Sequence, residues 1–225
     1  MEILEYLTVR RAYNLVRHDA EAERRLTFPE FAILCRLHDA GGSLNTSEIA
    51  EYQGSLRPTM THRTKHLSTL NYISRSKGET DRRNVVCSLT DEGASFVEEL
   101  CTACCSRIKA GQPLSRVDAE RMCCYVDAMG SIGCKAGELV MLGILVLEDK
   151  NVTVSSLVDQ LGMLQPTVSM SVAALEEDGY VGRRPVATSD RGTSIILTDA
   201  GKARAKEMVQ RINAIVVHRK PRSKK

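Results

Sequence analysis

The densest chemistry in this chain lies between Gly54 and Asn71. Placed on a helix, Met60, Thr64, Leu67 and Leu70 or Asn71 fall on one face. The other face carries Arg57, Thr59, Thr61, His62, Lys65 and His66, with no carboxylate among them. Cations, imidazoles and short hydroxyls together suit a polyanion whose bases offer hydrogen-bonding edges. Arg63 sits between the two faces. It could reach outward to a phosphate or snorkel from a half-buried site.

A second chemistry is sulfur: there are eight cysteines. Cys101, Cys104 and Cys105 form one cluster in sequence, and Cys123 and Cys124 another, with Cys134 just beyond. If the helices carrying them pack antiparallel, the groups could meet. Three readings stay open: small buried hydrophobes, a thiol redox sensor built from these first five, or a metal or cluster site. The spacing matches no standard zinc set. Adjacent helical residues point about 100° apart, so Cys123 and Cys124 cannot easily share one ion. No metal site is assigned on this basis, and His18, His38 and His218 lack partners at ligand spacing.

These residues need elements to hold them. Residues 2–25 read as one helix. Thr27, Pro29 and Glu30 then form a helix start of the capping-box kind, and the helix runs to Gly41-Gly42. A short helix follows over Thr46–Tyr52, with Ile49 and Ala50 facing inward. Pro58 suits the start of the next helix, since its missing N–H would be unsatisfied there anyway. Tyr72–Ser76 alternates like a strand, 77–83 is a polar turn, and Asn84–Leu89 alternates again. The hairpin carries Arg75, Asp81, Arg82 and Arg83. Thr90 to Gly93 opens a helix over Ala94 to about Lys109. Helix, turn, helix, hairpin, helix is the winged-helix order.

Shifting the chain by 108 residues superposes its second half on its first without a gap. Gly54 meets Gly162, Pro58-Thr59 meets Pro166-Thr167, Tyr72 meets Tyr180, and Leu89-Thr90-Asp91 meets Leu197-Thr198-Asp199. The expected fold is mainly α with small β-hairpin wings. It comprises two tandem winged helix-turn-helix modules, 1–110 and 111–217, joined by a helical scaffold as a pseudo-dimer. The second copy would open with a helix over Leu114–Met129, and its last helix would run on through Val217. Residues 218–225 hold five cations and no anion. That tail could rest on phosphates or simply solubilise a disordered end.

The copies are unequal in charge. From Arg57 to Arg83 there are seven cations and two anions; from Gln165 to Arg191 there are three and four. The second copy presents Gln165, Thr167, Ser169, Met170, Ala173 and Ala174, with Arg183 and Arg191 in its hairpin. Its Asp190-Arg191-Gly192 lies one residue closer to the following Leu-Thr.

The run Asp81-Arg82-Arg83, five residues, then Leu89-Thr90-x-x-Gly93 resembles the wing of the MarR family of winged-helix transcription regulators. Thr46–Ala50 and Gly54–Leu67 extend the likeness, and the repeat resembles the long, two-lobed Sar-type members. The resemblance implies a helix from Pro58 in the major groove of double-stranded DNA, with the wing on the adjacent minor groove or backbone. It carries DNA roles to Arg57, Thr59, Thr61, His62, Lys65, Arg82 and Arg83, with Asp81 orienting an arginine. Arg63 departs from the family's usual aliphatic residue. Gln165, Thr167, Ser169, Arg183 and Arg191 would be the second reader, unless that lobe is chiefly scaffold. A small-molecule effector is common in such proteins. One chain would act as a pseudo-dimer, or two chains would pair.

Other classes fare worse. No phosphate-binding glycine loop or nucleophile motif marks an enzyme or a cofactor, and Gly130–Gly133 reads as a turn. The longest apolar run, Leu139–Leu147, falls short of the roughly 20 residues a membrane span needs and reads as a buried helix. The first residues have no basic, apolar leader pattern, so a cytoplasmic regulator is expected. The alternative is an interaction scaffold or a redox or metal sensor with a degenerate second DNA-binding lobe.

Overall fold

The computed structural model describes residues 1–77, 85–148, 151–185 and 193–218. These residues fold into ten α-helices and two small antiparallel sheets, in two compact units. One unit holds residues 16–133 and the chain from Ile215; the other holds 1–15 and 134–214.

The unit of residues 16–133 is built on α2 (Phe28–Asp39), whose Phe31, Ala32, Ile33, Leu34, Cys35 and Leu37 are all buried. Its start is the expected box: the backbone N–H and hydroxyl of Thr27 both donate to the Glu30 carboxylate at 2.7 Å. β1 (Ser43–Asn45) leads into α3 (Thr46–Tyr52), where Asn45 accepts from the Glu48 N–H at 2.9 Å and Glu48 accepts in return. Gly54 turns the chain in the left-handed region, φ 55°, where glycine carries no side-chain clash. α4 (Arg57–Thr69) follows, with Pro58 at its second position. β2 (Ile73–Lys77) and β3 (Val85–Leu89) pair antiparallel, and β1 adds to the far side of β3. α5 (Asp91–Ser106) and α6 (Ala119–Met129) complete the unit.

In the other unit, α1 (Ile3–Asp19) contributes residues up to Leu15. With it are α7 (Ala136–Val146), α8 (Val154–Leu161), α9 (Gln165–Glu177), β4 (Val181–Pro185), β5 (Thr193–Leu197) and α10 (Asp199–Asn213). The end of α8 is tied down by α1. Arg11 Nε donates to the Asp159 carbonyl at 2.8 Å, and Asn14 Nδ2 to that of Leu161 at 2.9 Å. Those are last-turn carbonyls with no partner inside their own helix. α7 is the apolar run and is buried over Leu139–Ile144. No helix among the described residues is long and apolar enough to cross a membrane.

The 108-residue interval reappears in the elements. α4 and α9, β2 and β4, and β3 and β5 begin and end 108 residues apart. Thr90 caps α5 by accepting from the Gly93 N–H, and Thr198 caps α10 from Gly201. At both glycines an added Cβ would collide with a carbonyl, that of Tyr72 or Tyr180, so each last helix starts hard against its hairpin.

Several expectations need correction. The first helix stops at Asp19, short of residue 25. Arg25 turns back onto the Ala20 and His18 carbonyls, Arg17 donates to Leu26, and a 3-10 turn spans Ala22–Arg24. The helix expected from Leu114 starts only at Ala119. Leu114 adopts φ 63°, and the Asp118 side chain opens a fresh helix by accepting from the Arg121 N–H. The last helix ends at Asn213, before Val217. Strand β1 was not anticipated. Nor do the compact units divide at the repeat boundary near residue 110. Most of α1, the opening helix of the first copy, folds with residues 134–214, and α6 folds with residues 16–133.

Candidate nucleic-acid interface

Helix α4 buries Met60, Thr64 and Leu67 and leaves Arg57, Thr59, Thr61, His62 and Lys65 exposed. The apolar spacing alone sets this orientation. Its first turn has a further property. Among helices α2–α10, only α4 and α9 have neither a capping side chain nor a first-turn side chain that accepts from the N-cap N–H. Both are led by leucines, Leu56 and Leu164, which lie 108 residues apart and whose side chains cannot accept a hydrogen bond. Neither helix has an acidic residue in its first turn. First-turn N–H groups and the positive end of the helix dipole are thus open to an outside anion.

Two residues expected on this surface are turned to other work. His66 is half-exposed but engaged: its Nδ1 lies 2.7 Å from Glu30 Oε1, and Glu30 is itself buried on α2. Arg63 donates to the Gln53 side chain at 2.6 Å and to Ser55 at 3.3 Å, which ties α4 to the turn before it. Of its two sequence readings, the half-buried one holds. Burial holds its guanidinium below the usual range, with Glu30 pulling the other way. Arg75 is half-buried on β2 opposite Cys87, and its charge and hydrogen bond offset part of the burial that raises that thiol. Asp81, Arg82, Arg83 and Arg191 lie outside the described residues.

Helix α9 repeats the orientation with different chemistry. Val168, Val172 and Leu175 are buried, and Gln165, Thr167 and Ser169 are exposed. Arg183 on β4 is engaged by Glu176 of the same helix through two hydrogen bonds, 2.6 and 2.9 Å. That bond holds the Glu176 carboxyl below its ordinary range and raises the arginine. Met170, 73% exposed, stands where α4 has His62, and Leu164 is 54% exposed.

The cysteines divide. Cys101 of α5 and Cys123 of α6 come together, joined by Cys35 of α2, with all three sulfurs within 4.8 Å of one another. Cys104, Cys105 and Cys124 are not in that group. Hydrogen bonds from Cys123 and Cys35 bring the Cys101 thiol down to about 6. Donating to Cys101 raises Cys123, burial raises Cys35, and burial pushes Cys104 up to about 12. Cys35 was missed because nothing in its local sequence marks it.

The helix, turn, helix and three-stranded sheet of residues 28–89 are a winged helix-turn-helix. Residues 26–85 match the model described as the MarR family. Residues 144–182, from the end of α7 into β4, match the model described as bacterial regulatory protein, arsR family. No curated protein matches the chain. Among solved structures it is similar to the YusO protein of Bacillus subtilis, at 26% identity over 45% of this chain and 67% of that one, with a TM-score of 0.36. It is also similar to a cysteine-to-serine mutant of MarR from E. coli complexed with operator DNA, at 18% identity, 50% and 82% coverage and a TM-score of 0.34. NadR in complex with 4-hydroxyphenylacetate gives 23% identity, 57% and 87% coverage and a TM-score of 0.37.

Proposed function

We propose that this chain is a DNA-binding transcription regulator in which one polypeptide carries two winged helix-turn-helix modules and acts as a family dimer does. The observation that carries this reading is α4. It combines an exposed, carboxylate-free face of Arg57, Thr59, Thr61, His62 and Lys65 with an uncapped first turn. Phosphates would dock on the first-turn N–H groups and cations, and the hydroxyls and His62 would meet base edges.

The first module is the stronger reader, because phosphate contact through cations supplies much of the affinity. Its reading stretch carries a net +5 against −1 in the second, and Glu176 already engages Arg183 there. The second module reads a second half-site through Gln165, Thr167 and Ser169. A second reading, that its helix meets a protein partner, is favoured by the exposed Leu164 and Met170. A small-molecule effector would have a cavity of about 340 Å³ in the unit of residues 16–133, beside Arg24, Phe96, Leu100 and Arg107.

Footprinting on the DNA flanking the gene tests the proposal. One chain should protect two major-groove segments about 10 base pairs apart, with affinity falling steeply as salt rises. Salt-insensitive binding, or none to genomic fragments at low salt, would refute it.

A further inference from the structure

We propose that Cys35, Cys101 and Cys123, with His38 as fourth ligand, form a zinc site within the unit of residues 16–133. The three sulfurs come from three helices, α2, α5 and α6, and are mutually within 4.8 Å. A tetrahedral zinc with Zn–S near 2.3 Å sets its sulfurs about 3.8 Å apart. Small side-chain rotations therefore bring the three sulfurs to that spacing without moving the helices. His38 Nδ1 stands 3.9 Å from the Cys123 sulfur and Asp39 Oδ1 3.8 Å from it, so Cys123 joins the thiol group to a nitrogen and a carboxylate. Three cysteines and a histidine are a set used by structural zinc.

The surroundings favour a divalent ion and let it in. Cys35, Cys101 and Cys123 are all buried. Three thiolates around a divalent ion leave one net negative charge, around a monovalent ion two, and burial penalises the larger residue of charge. A cavity of about 370 Å³, lined by His38, Val97, Cys101, Ala119, Glu120 and Cys123, reaches two of the three cysteines, Cys101 and Cys123. On binding, the metal replaces the thiol protons, which pass to solvent, and no oxidant is needed. The ion would cross-link α2, α5 and α6.

Co2+ serves as the visible probe, titrated into the reduced full-length chain without oxygen and then displaced by Zn2+. The expected result is one equivalent with tetrahedral d–d bands and charge-transfer intensity for three thiolates. Cys123→Ser should abolish those bands. Cys104→Ser, buried nearby but outside the group, should keep them. His38→Ala should keep the charge transfer while altering the d–d bands. Zn2+ should raise the melting temperature of the native chain and not of Cys123→Ser; Cys101→Ser replaces that variant if circular dichroism shows it unfolded. Absence of Co2+ bands in the folded native chain would overturn the site. Bands that survive Cys123→Ser, or vanish equally in Cys104→Ser, would do the same. DNA binding is not part of the readout, so the site and the regulator reading fail separately.

Discussion

At the scale of single residues, the first module separates side chains that seat the reading helix from those that project from it. Glu30 accepts from Thr27 and is held at 2.7 Å by His66, so one buried carboxylate starts α2 and anchors α4. Lys65 lies one residue before that anchor and is exposed. Lys65→Ala should weaken DNA binding similarly on every sequence and make the salt slope shallower by about one. Fluorescence anisotropy across a salt series measures both, and an unchanged slope would remove Lys65 from the phosphate contacts. Asp127 is a pH-sensitive residue of the same unit. Burial raises its carboxyl from 3.8 to about 6, while Arg36 at 3.2 Å pulls it down. The folded state therefore holds a proton that the unfolded state has released. Stability from this group is present below pH 4 and is lost as pH rises through 6. Asp127→Asn removes that dependence. The stability difference between native and variant should change by up to ~3 kcal/mol between pH 4 and 6, read by urea unfolding. A flat difference across that interval would contradict the raised carboxyl.

Elements show where local chemistry and function conflict. Thr27, Asn45, Thr90, Asp118, Thr153 and Thr198 start their helices by capping, as stability alone would select. Leu56 and Leu164 break the pattern at the two helices proposed to read DNA, and Leu56 is 77% exposed. Leu56→Asp should separate the two demands. A carboxylate at the N-cap would stabilise the fold by about 1 kcal/mol, and it would occupy the N–H groups and repel phosphate. Denaturation midpoint and DNA affinity should move in opposite directions. If both fall, or if affinity holds, the first turn of α4 is not an anion seat.

At the scale of the molecule, elements that recur at a 108-residue interval keep their bounds and differ in charge. α4 and α9 share a buried face, a proline at the second position and a 108-residue interval, and differ in what they expose. Charge reversal at Arg83 should therefore cost far more DNA affinity than reversal at Arg191 in a titration at fixed salt. Equal losses would refute the asymmetry. The cysteines belong to this scale as well, since three helices must pack before Cys35 meets Cys101 and Cys123.

What could be read from the chain alone was the part governed by short-range rules. Helix periodicity set the orientation of α4. The capping box at Thr27 and Glu30 and the alternation of the hairpin strands are written within a few residues, and the 108-residue interval follows from identities in sequence. Tertiary structure decided the rest. Arg63 and His66 had the composition of an outward surface, but Gln53 and Glu30, 10 and 36 residues away, engage them. The thiol group needed Cys35, which lies 88 residues from Cys123. Most of α1 folds with residues 134–214, and α6 folds with residues 16–133. Each outcome depends on contacts between distant segments, and an amphipathic helix states that it must bury a face without stating against what.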